Sequence, residues 1–339
     1  MTAGITNRRQ VLLAGAIGAA AIVAPRSVLG QSSNPAKITV VMTQGVSGLA
    51  LHQLAKDKGF FEEFNVVPEV TLVSDGAKCV SALLSGTSEI CMWSGFNQVV
   101  PAIAKGAQIK ILAGALNVPS LAVYSRRPEI KTLADVQGKV MGIGAPGSVL
   151  HQMIVYMMTK QGLNPDTVTF RNVGSNADIF KAVVAGTVDA GPSDVDVFDQ
   201  QQQFGVHALA RGLLWSEIPE YTNQASYASD AAIRSNRANL VKILAAYAKA
   251  YRYVCSPESR DDFIKARQTV TGESNTPHAV SQWTWIQKYQ PYATGLTLSD
   301  DQINLVQKLN VQFKSQTELL PIASVADMSV AKDALKLLS

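Results

Sequence analysis

The chain repeats itself at a spacing of about one hundred residues, and this constrains its fold more than any other feature. Ala82-Leu83-Leu84-Ser85-Gly86-Thr87-Ser88-Glu89-Ile90 returns as Ala182-Val183-Val184-Ala185-Gly186-Thr187-Val188-Asp189-Ala190, at an offset of 100. Leu51-His52-Gln53 returns as Leu150-His151-Gln152, at an offset of 99. Each copy opens on a β-prone run, residues 38–42 in one and 139–143 in the other. A Gly/Ser loop and an apolar stretch with helical spacing follow in both. Two strand–loop–helix units of one build predict two similar lobes, and two lobes leave a cleft between them.

The first thirty residues read as a targeting segment. Asn7-Arg8-Arg9-Gln10-Val11-Leu12-Leu13 is a near match to a twin-arginine signal, residues 11–24 form an uncharged core, and cleavage is expected near Gly30. Fourteen uncharged residues fall short of the roughly 20 that a membrane span needs. The expected product is exported to the periplasm. Cleavage removes three arginines and no acid, so the formal charge of +4 falls to +1. A nearly neutral chain without a basic stripe does not suit nucleic acid. The three cysteines have no metal-site spacing. Cys79 and Cys91 read as buried thiols, with a disulfide between them as the alternative. His52, His151, His207 and His278 are scattered, so neither a metal nor a cofactor is expected.

Strand-like and helix-like segments alternate through the first two thirds, which predicts an α/β fold with parallel-type sheets covered by helices. Strands are expected at 38–42, 70–73, 90–93 and 109–113, then at 139–143, 168–173 and 190–193. Helices are expected at 49–58, 77–85, 98–105, 150–161 and 177–185, and in the tail at 239–255 and 300–314. Leu121–Ser125 and Gln224–Ser229 read as strands leaving and re-entering the first lobe. Lobe I is thus expected at 31–125 and 223–339, and lobe II at 126–222.

Ligands in open α/β sheets sit at the carboxyl ends of strands. The loops there are rich in Gly, Ser and Asn and nearly free of charge. Candidate ligand-binding residues are Gln44, Gly45, Ser47, Asp75, Trp93, Ser94, Gly147, Ser148, Asn176 and Asp194. Helix N-termini bind anions through free N–H groups and the helix dipole, and Pro146-Gly147-Ser148 and Gly45-Val46-Ser47 stand in matching positions. Trp93 offers a ring to stack on a planar ligand, or packs as core. Asp194 offers hydrogen-bond acceptors, or is a solvated loop carboxylate. The few cations near these loops point to an oxyanion held by amides and hydroxyls, or to a neutral to weakly acidic organic molecule. Gly142-Ile143-Gly144-Ala145-Pro146-Gly147 matches G-x-G-x-x-G. However, Pro146 removes a donor, and Asp166 precedes the next strand rather than ending it, so a dinucleotide site is not expected. No G-x-S-x-G, H-E-x-x-H or Walker A lysine is present, and no catalytic constellation emerges.

Taken in order, His52-Gln53-Leu54-Ala55-Lys56-Asp57-Lys58-Gly59-Phe60-Phe61, residues 82–89 with Trp93-Ser94-Gly95, residues 133–138, Gly147-Ser148 and residues 183–190 resemble one family. It is that of the solute-binding proteins of ABC importers for nitrate, sulfonates, taurine and thiamine-precursor pyrimidines. The resemblance implies a type II periplasmic binding-protein fold, with two lobes on a two-strand hinge closing over a small molecule. It also implies a membrane permease and its ATPase as partners. It carries Gln44, Ser47, Trp93, Ser94, Gly147 and Ser148 over as pocket positions. Where the family often has an aromatic near Asp194, this chain has Gly191-Pro192-Ser193-Asp194, a departure from the sulfonate and taurine pattern. The cysteine-rich motif of the family's thiamine-pyrimidine synthases is absent. The expectation is a monomeric, non-enzymatic transport receptor. An exported enzyme or a ligand-sensing module on the same scaffold is the alternative.

Overall fold

Ile38, Val40, Val41 and Met42 are all buried within β1 (Ala36–Thr43), and such continuous apolar runs belong to strands covered on both faces. The computed structural model describes residues 34–339 apart from Asn275, so the expected export segment lies outside the described residues. β2 (Val66–Val73) is buried only at Val66, with the remaining positions half-buried or exposed, and carries Pro68, as an edge strand can. The remaining strands are β3 (Ile90–Ser94), β4 (Ile109–Leu116), β5 (Leu121–Ser125), β6 (Val140–Ile143), β7 (Thr169–Asn172), β8 (Gly191–Asp194), β9 (His207–Leu213) and β10 (Gln224–Ser229).

One sheet runs β2-β1-β3-β10-β4. In it β1 is parallel to β2 and β3, while β10 is antiparallel to β3 and β4. The second sheet is built in two parts, β8-β5-β9 and β6-β7. A parallel bridge from Met141 to Ala190 joins them, with Gly142 N–H donating to the Ala190 carbonyl at 2.9 Å. Read across that bridge, the order is β7-β6-β8-β5-β9, the first sheet's arrangement with β5 in the place of β10. The parallel pattern expected from the alternation holds for β1–β3 and β6–β8. β5 and β10 run antiparallel because each enters from the other sheet and not through a helical crossover. The chain therefore crosses twice, at 117–120 and at 214–223, and Asn223 N–H ties the crossings together by donating to the Leu116 carbonyl at 2.9 Å.

The sequence repeat is also a repeat of contacts. Glu89 accepts from the Thr39 backbone N–H at 3.0 Å, and Asp189 accepts from that of Val140 at 2.8 Å. Thr87 and Thr187 both donate their hydroxyls to the carbonyl five residues back, at 3.1 and 3.2 Å.

Helices form where expected, at Val46–Asp57, Gly76–Leu84, Val99–Ala104, Val149–Lys160, Asn176–Ala185 and Asp300–Gln312. The tail helix expected from 239 starts earlier, as Asp230–Val254, and runs through a kink at Asn236 whose side chain reaches Glu89 at 2.6 Å. β9 was not expected, since Ala, Arg and Gly give it little strand propensity. Helices Arg260–Thr271 and Thr276–Tyr289 pack against Val46–Asp57 and against residues 195–200 after β8. All three cysteines are free thiols, with Cys79 and Cys91 buried. Among the described residues, no helix is long and apolar enough to cross a membrane.

Candidate functional site

A cavity of about 600 Å³ lies between the two sheets. The loop after β1 supplies Gly45, Ser47 and Gly48, and β3 supplies Trp93. From the second sheet come Ser193 and Asp194, and from its helices Val149, Met153, Asn176 and Phe180. Both crossings contribute too, through Leu116, Ser120 and Leu121 and through Asn223 and Gln224. The tail closes the remaining side with Arg267, Glu273, His278 and Gln282.

Five of the ten expected site residues line this cavity: Gly45, Ser47, Trp93, Asn176 and Asp194. Gly45 is the N-cap of Val46–Asp57 and has no side chain to cap it. The first-turn N–H groups, which lack intrahelical partners, therefore stand unblocked at the cavity wall. The Ser47 hydroxyl accepts from Gln282 Nε2 at 2.6 Å.

The other five are engaged elsewhere. Gln44 is exposed, and its backbone N–H donates to Val73 at 3.2 Å. Asp75 caps Gly76–Leu84 by accepting from Lys78 N–H at 3.0 Å; the Ser74 hydroxyl and that N–H hold its carboxyl below the usual range. The buried Ser94 hydroxyl donates to the Gly95 carbonyl at 3.4 Å. Ser148 caps Val149–Lys160 by accepting from His151 N–H at 3.4 Å, and Gly147 N–H donates to His151 Nδ1 at 3.0 Å. The two matching helix starts thus diverge. The first has no side-chain cap; in the second, which also reaches the cavity through Val149 and Leu150, Ser148 takes the third N–H of the first turn.

Trp93 is 2 % exposed and sits at φ +60°, a left-handed conformation that costs a bulky residue about 1–3 kcal/mol. Packing holds it there. Its Nε1 donates to the Tyr251 hydroxyl at 3.0 Å, and its ring packs on Tyr251 and Tyr292. A Cβ on Gly48 would come within 3.2 Å of Trp93, so a larger residue there would have to shift the indole.

Asp194 is half-buried, and each carboxylate oxygen lies 3.2 Å from Asn176 Nδ2. Burial, with the Asp196 charge beside it, pushes its carboxyl up to about 7, against the pull of Asn176 and Arg267. Arg267 is spoken for: Nη2 pairs with Asp196 at 2.5 Å, Nη1 with Glu273 at 3.3 Å, and Nε donates to Gln282 at 3.0 Å. Ser47, Gln282, Arg267 and Asp196 so form one chain of bonds from the loop after β1 to the segment after β8. Sequence reasoning missed Arg267, Gln282 and Asp196. Gln282 is 235 positions from Ser47, and no local pattern marks such a pair.

The family described as NMT1/THI5 like matches residues 50–259. No curated protein matches the chain. Among solved structures, the periplasmic aliphatic sulphonate binding protein SsuA from Escherichia coli is 17% identical with a TM-score of 0.70, covering 87% of this chain and 92% of that one. The alkanesulfonate-binding protein SsuA from Xanthomonas axonopodis pv. citri, bound to MOPS, is 21% identical with a TM-score of 0.64, covering 88% and 99%. The periplasmic nitrate-binding protein NrtA from Synechocystis PCC 6803 is 14% identical with a TM-score of 0.66, covering 90% and 89%. At these identities the likeness is one of fold.

Proposed function

The chain belongs to the NMT1/THI5-like family, and on that premise we propose that it is the solute-binding component of an ABC importer. It captures one small organic molecule in the periplasm and delivers it to a membrane permease with its ATPase. One observation carries this reading: a single cavity takes walls from both sheets and from both chain crossings. Two bodies linked by two crossings of the chain can rotate about them, with the tail's contacts to residues 195–200 adjusting, and a solute that touches both favours the closed arrangement by its differential affinity. Leu121–Ser125, expected in lobe I, pairs with β8 and β9 and is placed in lobe II, so the lobes divide at 117–120 and at 214–223. Export by the twin-arginine segment, with cleavage near Gly30, supplies the compartment, and the working unit is a monomer.

The receptor catalyses nothing. In support, His278 faces Glu273 at 3.6 Å and no cysteine lines the cavity, while the Ser47 hydroxyl is committed to Gln282. A bound solute is expected to raise the melting temperature and to reduce the radius of gyration in solution scattering. Native mass spectrometry of the protein as purified is expected to catch a co-purifying small molecule. If a broad panel of small anions, cations and neutral organic molecules changes neither temperature nor compaction, the reading fails.

A further inference from the structure

We propose that the solute carries a protonated amine or amidine nitrogen that docks on Asp194, and that the cavity disfavours simple oxyanions; this rests on the solute-binding reading above. The charges around the cavity carry the argument. Three carboxylates line it, those of Asp194, Asp196 and Glu273, against the guanidinium of Arg267 and the ammonium of Lys181. Lys181 is a rim residue with its side chain 79% exposed, 3.9 Å from Asp178. Arg267 has a side chain only 4% exposed, and its ion pairs go to Asp196 and Glu273. An oxyanion could recruit that guanidinium only by leaving two carboxylates uncompensated.

Asp194 is the carboxylate left over. What meets it is a neutral amide, Asn176 Nδ2, at 3.2 Å from each oxygen. A recessed carboxylate without a cation is costly in an empty receptor, and a cationic N–H donor removes that cost on arrival. A second acceptor points the same way. Gln224 lines the cavity, and its Oε1 is buried with no hydrogen-bond partner among the described residues. Phe180, one helical turn beyond Asn176, packs edge-on to Phe204 and gives the site an aromatic wall of the kind that suits an organic cation. The bare helix start at Gly45–Gly48 belongs to the other sheet, so it serves a different part of the solute.

The test is calorimetric titration of the intact protein with matched pairs on shared skeletons. Benzylamine and benzamidine are set against benzoate and benzenesulfonate, and cyclohexylmethylamine against cyclohexanecarboxylate. The amines and amidine are expected to bind at least tenfold more tightly than their anionic counterparts. Asp194→Asn is expected to lose that preference, Asp194→Glu to recover part of it, and Lys332→Ala, an exposed position that does not line the cavity, to leave it unchanged. If the anions bind and the amines do not, or if amine affinity survives Asp194→Asn, the proposal is overturned while the receptor reading stands. If neither series binds, the amine proposal is overturned, while the receptor reading is decided by the broad panel above.

Discussion

Asp194, on the cavity wall, costs the empty protein stability. Its carboxyl is pushed up to about 7 by burial and by Asp196, whereas an unfolded Asp titrates near 3.9. The folded state therefore holds the proton more tightly than the unfolded state does. The ionised group destabilises the empty protein fully above about pH 7, and the penalty fades as pH falls towards about 4. Asp194→Asn should raise the melting temperature of the empty protein at pH 8 by about 2–4 °C for each ~1 kcal/mol recovered. The gap between variant and parent should close by about pH 4, where calorimetric scans can follow it. The comparison must be a difference between two proteins, because His52 works in the opposite direction. Burial, with Lys56 nearby, pushes its imidazole down to about 4, so its contribution is intact above about pH 6.5 and lost as the pH falls towards 4. Trp93 poses a different problem, since a left-handed backbone needs its side chain held. Tyr251→Phe removes the acceptor for Nε1 and leaves a buried donor unpaired, at about 1–3 kcal/mol. Urea unfolding should show that loss, and an unchanged midpoint would mean the indole is held by packing alone.

At the scale of elements, the two copies put the repeat's acid to one use. Glu89 and Asp189 each sit just before a central strand and accept a backbone N–H from the strand beside it, Thr39 in one sheet and Val140 in the other. Each acid has a further partner, Asn236 for Glu89 and Arg127 for Asp189. Glu89→Ala and Asp189→Ala should each cost about 1–3 kcal/mol, with similar values, because each strands a half-buried N–H at an equivalent place. A large effect in one copy alone would mean that sequence similarity has outlived structural equivalence. The helix starts already show such divergence. Ser148 caps one first-turn N–H of one, while Gly45 leaves the other without a side-chain cap. Duplication supplied two similar helix starts at the cavity, and side-chain chemistry capped one of them.

For the whole molecule, closure depends on how near the two sheets' loops approach. A Cβ on Gly95 would lie 2.5 Å from Val149 Cγ2, where the loop after β3 meets the start of the helix Val149–Lys160. Gly95→Ala should therefore push the sheets apart, raising the radius of gyration and weakening solute binding about tenfold while leaving the melting temperature of the empty protein nearly unchanged. Adding Val149→Ala should restore both, and scattering together with titration measures the pair. An unaltered radius and affinity in the single variant would show that Val149 yields without opening the cleft. Strands, most helices and the doubled architecture were legible in the residues because periodicity, turn chemistry and the 100-residue echo are local or self-referential signals. β9 was not, since pairing with β5 overrides its weak propensity. Gly45, Ser47, Trp93, Asn176 and Asp194 could be named from strand ends alone. Their surroundings could not, because Arg267, Gln282 and Glu273 arrive from a tail whose path is decided by packing. Sequence by itself determined that two like units face one another across a cleft. Only the tertiary structure decided which carboxylate of the cleft is neutralised, because a recessed charge is defined by which distant partner pairs with it, and here the Arg267 guanidinium goes to Asp196 and not to Asp194.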